Sequence, residues 1–129
     1  MKVLLPVSLL AILVGVPAYA DCTAPDININ VPDGAKASME EMLAAQHAIK
    51  ESNAAVQQYT DCLKAEQDAK IAAGGDKMKD EEKVKISADY VGRQNAAVDK
   101  LQKAADQFNL EVRAWKSRQP PPAAPATQP

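Results

Sequence analysis

Aromatic residues are scarce in this chain, with one Phe, one Trp and three Tyr among 129 residues. So thin a supply excludes a thick globular interior, because large rings provide much of the area such a core buries. Histidine is scarcer still: His47 stands alone, so no imidazole cluster can hold zinc. Ser38, Ser52 and Ser87 therefore have no histidine placed to activate them, and the parts of a nucleophilic catalyst are missing. Cysteine stops at Cys22 and Cys62, forty residues apart, which rules out a CxxC redox motif and metal-ligand spacing. Neither sign of charge dominates, with 15 basic and 17 acidic side chains. That balance lacks the electrostatic footprint of a nucleic-acid or anionic-lipid binder. No catalytic, cofactor-binding or metal-binding residue is assigned.

The single long apolar run lies at the start. Met1-Lys2 supplies a positive charge, and the run from Val3 to Val16 is broken only by Pro6, Ser8 and Gly15. Pro17 then precedes Ala18-Tyr19-Ala20, which puts small residues at −3 and −1 of a cleavage site. This order predicts a signal peptide over residues 1–20, too short to span a membrane. Cleavage after Ala20 would leave a chain from Asp21 with 14 basic and 17 acidic groups, a net charge of about −3. A lipoprotein acylated at Cys22 is the rival, but that processing favours a small residue where Asp21 stands. The expected location is periplasmic or secreted, with no membrane insertion after cleavage. In such a compartment Cys22 and Cys62 form a structural disulfide, within one chain or between two.

Four segments follow. Residues 21–34 are rich in Pro, Asn and Asp, and Ile27, Ile29 and Val31 alternate with polar neighbours, which predicts an extended arm. Residues 35–73 and 77–118 have helical composition without proline. Gly74-Gly75-Asp76 separates them as a turn, with Asp76 as cap of the second helix. The first helix has two candidate starts: Ala35 behind Asp33, or the capping box Ser38-Met39-Glu40-Glu41. Residues 119–129 form a proline-rich tail predicted to be disordered, either an inert solubilising end or a spacer or ligand for another protein.

Heptads run along both helices. In the first, Met42, Ile49, Val56 and Leu63 fall seven apart, with Ala45, Ser52, Tyr59 and Glu66 as companions. In the second, Val84, Val91, Val98, Ala105 and Val112 fall seven apart, accompanied by Ser87, Gln94, Leu101, Phe108 and Trp115. This is a coiled-coil seam. Folding back at Gly74-Gly75 pairs residues whose numbers add to about 150, such as Ile49 with Leu101, Val56 with Gln94 and Glu66 with Val84. The fold class expected is all-α: a two-helix antiparallel coiled-coil hairpin over residues 35–118, with an extended arm and a disordered tail. Beside the seam, Ala48, Ala55, Cys62 and Ala69 make a row of small residues along which the arm can lie. Stretched out, residues 22–33 reach roughly 36–40 Å. The helix from Ala35 to Cys62 measures about 40 Å, so the arm just delivers Cys22 to Cys62.

The remaining candidates divide between structure and recognition. His47 falls opposite the seam, facing water. Glu40-Glu41 and Glu81-Glu82 sit in first helical turns, where carboxylates oppose the helix dipole. At the open end Met39, Met42, Leu43, Phe108 and Trp115 gather, either as core over the hairpin mouth or as a surface for a protein partner. Tyr90 flanks the seam and belongs to the same candidate partner surface.

Asp21-Cys22 after the signal, Pro32-Asp33-Gly34 before the helix, Tyr59 with Cys62, Asn95-Ala96-Ala97-Val98 and Phe108-Asn109 occur together. In these the chain resembles a family of small uncharacterised exported proteins of Gram-negative proteobacteria. The resemblance implies a periplasmic setting and offers no catalytic residue to carry over. The function expected is non-enzymatic: a structural, adaptor or chaperone-like binding role in the cell envelope, toward an unidentified protein partner. Self-assembly is the second reading, two hairpins joining as a homodimer in a four-helix bundle. An enzyme of unknown class is a remote third.

Overall fold

A computed structural model describes residues 21–120; the expected signal peptide and residues 121–129 of the tail lie outside the described residues. Two long helices dominate, α1 over Met39–Gly74 and α2 over Asp80–Ser117, joined through a single 3₁₀ turn at Gly75–Lys77. There is no strand among the described residues. The chain is an all-α hairpin, as the heptads predict.

Both candidate caps of the first helix are used, in succession. Asp33 closes one isolated turn, its carbonyl accepting from the N–H groups of Lys36 and Ala37 at 3.0 and 2.8 Å. The continuous helix then starts on the Ser38 box rather than at Ala35. Ser38 Oγ accepts from the Glu41 N–H at 3.2 Å, and the Glu41 carboxylate accepts from the Ser38 N–H at 2.7 Å. These reciprocal bonds satisfy two donors that a helix start leaves free. They also hold the Glu41 carboxyl below its ordinary range, the Ser38 backbone N–H first and its hydroxyl second.

The turn is longer than two glycines, which changes the register. Gly75 takes φ +52°, a conformation for glycine. Met78 and Lys79 are extended, and α2 begins at Asp80 rather than Lys77. Asp76 does not cap it; the Glu82 carboxylate accepts from the Lys79 N–H at 3.2 Å instead. With the fold-back centred near Lys77, the helices slip by about one turn against the expected pairing. Gln94 meets Thr60 rather than Val56, and Glu66 meets Tyr90 rather than Val84.

The arm accounts for a second departure. Ile27 and Ile29 pack against a core of Val56, Tyr59, Leu63, Tyr90, Ala97 and Leu101. The Cys22–Cys62 disulfide forms within the chain, with Cα atoms 5.8 Å apart, inside the ordinary span for such bonds. The row Ala48, Ala55, Cys62 and Ala69 is half-buried, as a line of close approach should be. Helix α2 thus has two neighbours, α1 and the arm, and it turns its inward face to lie between them. Tyr90 and Ala97 are buried and Ala104 half-buried, whereas of the expected row Val84, Val91 and Val98 are exposed and Ala105 and Val112 half-buried. At 100° per residue the change is roughly 50°.

The open end is tied by polar bonds. Gly34 N–H donates to Glu111 Oε2 at 2.7 Å, and Arg118 donates through Nε to the Gly34 carbonyl at 2.9 Å and through a second nitrogen to the Ala37 carbonyl. A Cβ on Gly34 would run into the backbone carbonyl of Glu111, so glycine lets the arm cross α2 at close quarters.

Candidate functional site

Two features stand out above simple packing: a buried ionic cluster and a bare face. The cluster lies where the arm enters. Glu66 is only 9% exposed, and the Tyr90 hydroxyl donates to its Oε1 at 2.6 Å. Lys70 Nζ lies 3.5 Å from that oxygen, while Arg93 reaches to 4.0 Å of Oε2. Oε2 itself is enclosed and accepts no hydrogen bond. Lys70 and Arg93 also sit over the Tyr90 ring, at 5.4 and 5.3 Å from its centroid. Arg93 donates to the Cys22 carbonyl at 3.1 Å, so the cluster and the disulfide hold the same point of the arm.

These contacts fix the charge states. The Tyr90 hydroxyl, chiefly, holds the Glu66 carboxyl below its ordinary value, with Lys70 and Arg93 acting in the same sense and burial opposing. Burial, helped by the neighbouring carboxylate, pushes the Tyr90 phenol up. The pair is a carboxylate and a neutral phenol bonded to each other, which makes a clasp between α1 and α2.

The bare face lies across the hairpin from the arm. Val84, Val91 and Val98 are 68%, 49% and 45% exposed. Beside them a groove of about 490 Å³ opens between the helices, lined by Ile49, Val56, Thr60, Val98, Leu101 and Ala105. Along α2, the valine row from Val84 to Val112 is flanked by Ala88, Asn95, Gln102 and Asn109, none charged. Across the groove, α1 presents the uncharged Asn53, Gln57 and Thr60 and one cation, Lys50. In a chain that is 25% charged, a valine row flanked along α2 by four uncharged residues has the composition of an interface core.

No known family, curated protein or solved structure matches this chain. Its functional reading therefore rests on its own residues.

The structure separates the residues singled out from the sequence. Cys22 and Cys62 are joined. Met39 and Leu43 are exposed, whereas Met42 and Tyr90 are buried; both serve the core, Met42 as a seam residue of α1 and Tyr90 because the rotated α2 turns it inward. Phe108 and Trp115 are half-buried over the hairpin mouth. His47 is exposed beside Glu51, with Nδ1 3.4 Å from the carboxylate. Ser87 Oγ accepts from Gln67 Nε2 at 3.0 Å, bridging the helices. Among the described residues no group of three or more His, Cys, Asp or Glu is placed to hold a metal, and no helix is long and apolar enough to cross a membrane. The valine face is what sequence reasoning missed. Its signal was present: the uncharged row at Ala88, Asn95, Gln102 and Asn109 lies outside anything a two-helix seam requires.

Proposed function

We propose that this chain is an exported, non-enzymatic helical-hairpin protein of the cell envelope that works by binding protein through its bare face. The observation that carries the reading is the exposed valine row with its uncharged flanking row along α2. Exposed apolar surface is unfavourable in water and is retained where a partner covers it. Export is supported by the N-terminal apolar segment and by the intact disulfide, which suits an oxidising compartment. A non-enzymatic role is supported by the bond from the Tyr90 hydroxyl to Glu66, which ties α1 to α2.

The division of labour follows from the fold. The arm, staple and clasp make the two-helix body stiff, and stiffness lowers the entropy lost when a helical face docks. A photo-crosslinking residue placed at Val91 in cells exporting the protein is expected to form protein adducts. The same residue at Lys103, on the arm side, is expected to form few. Equal yields from both positions, or none from Val91, would remove the reading. Self-assembly is the second reading, favoured by the heptad spacing of the exposed valines.

A further inference from the structure

The bare face has the symmetry of a surface that meets itself. We infer that two copies of this chain pair through it, α2 antiparallel on α2, about a two-fold axis passing at Val98. This deepens the protein-binding reading and rests on it, naming the occupant as a second copy.

The order of residues along α2 is the first argument. Counted outward from Val98, Val91 answers Ala105 and Val84 answers Val112. Among the polar positions Gln94 answers Gln102 and Ser87 answers Asn109, whereas Asn95 answers Leu101 and Ala88 answers Phe108. A two-fold interface needs one patch to complement itself, and the apolar row meets that condition with Val or Ala at each of its five positions.

Charge is the second. Between residues 84 and 112 the valine row and the row Ala88, Asn95, Gln102 and Asn109 hold no ionised group; charges border them at Lys50 in the groove and at Asp106, which accepts from Gln102. On the line of Val98 itself, eighteen residues away in each direction, stand Asp80 and Lys116, both exposed, with Arg113 to one side of that line. The same axis sets Asp80 against the second copy's Lys116 at each end, opposite signs in both places. Such end charges select register and orientation.

Area is the third. From Val84 to Val112 is roughly 42 Å of helix, and two helices side by side are about 20 Å wide. The face is then on the order of 840 Å² per copy, which reaches the size of a standard stable interface. The groove at Ile49, Val56, Leu101 and Ala105 is open to side chains from outside. Valines of the second α2 enter it as knobs.

The test uses the oxidised chain from Asp21 onward, followed by sedimentation over a range of concentrations. A dimer is expected. Val98→Asp, which brings two carboxylates together on the axis, should weaken association by at least about tenfold. Helicity and the absence of free thiols should be unchanged, because Val98 is exposed in the single hairpin. Asp80→Lys and Lys116→Asp should each weaken the dimer, and the double reversal should restore it. Val98→Cys should give a reducible covalent dimer, while Lys103→Cys should not. A wild-type monomer at the highest soluble concentration overturns the inference, as does a dimer indifferent to Val98→Asp and to the charge reversals. If the monomer still yields adducts with a different protein from Val91 in cells, self-pairing fails and the binding reading stands. Silence in both experiments removes both.

Discussion

Glu66 and Tyr90 carry the pH dependence of this fold. The Glu66 carboxyl lies below its ordinary value of 4.5 in the folded chain. Its stabilising effect is therefore complete above about 4.5 and is lost as pH falls through the lower folded value. The Tyr90 phenol lies above its ordinary value of 10.0, so its contribution is complete below that value and is lost as pH rises through the folded one. Denaturant midpoints are expected to hold level between these limits and to fall on both sides. Glu66→Gln should flatten the acid limb, and an unchanged acid limb would show that the clasp is not its source. Tyr90→Phe strands a buried carboxylate oxygen, a loss of about 1–3 kcal/mol. At Gly34 the constraint is steric. Gly34→Ala forces a methyl against the Glu111 carbonyl and should cost about 1–3 kcal/mol in chemical denaturation. No other described glycine brings the arm so near a helix backbone.

At the scale of elements, turn and arm decide how two amphipathic helices meet. Gly75 holds φ +52° with ψ −149°, a region other residues avoid at a cost of about 1–3 kcal/mol. Gly75→Ala is expected to lower stability by that order, read from thermal melts, although its surroundings are open. The disulfide closes a loop of forty residues and contributes about 3–4 kcal/mol, largely by restricting the unfolded chain. Denaturation with and without reductant measures it; equal midpoints would mean that the arm stays docked by Ile27, Ile29 and Arg93 alone. Helix composition, the proline-free spans and the Ser38 box were all legible in the sequence. Register was not, because the heptads fix which residues face inward only after the number of residues spent in the turn is known. The extended Met78 and Lys79 have no strong local signature, and they displaced the pairing by about one helical turn.

For the whole molecule, the arm sets which face of α2 is hidden and which is shown. Two helices facing only each other would bury Val84, Val91 and Val98, as their spacing suggests. A third element on one side draws Tyr90, Ala97 and Ala104 inward and leaves the valines as an exposed row. A chain lacking residues 21–33 is expected to turn α2 back toward the simple seam. In such a chain, with Cys62 replaced by Ser, a cysteine at position 98 should react more slowly with a thiol reagent than in the chain with its arm. An equal or faster rate would mean that the rotation belongs to the helix pair itself.

By itself the amino-acid order determined two proline-free helices, their glycine turn, the arm and the span that lets Cys22 meet Cys62. These depend on local backbone preference, periodicity and chain length, which neighbours in sequence express directly. Only the tertiary structure decided the pairing of Glu66 with Tyr90, the burial of Tyr90 and the exposure of Val84, Val91 and Val98. Each depends on how α2 is rotated between α1 and the arm, and that angle arises from contacts among three segments far apart in the chain.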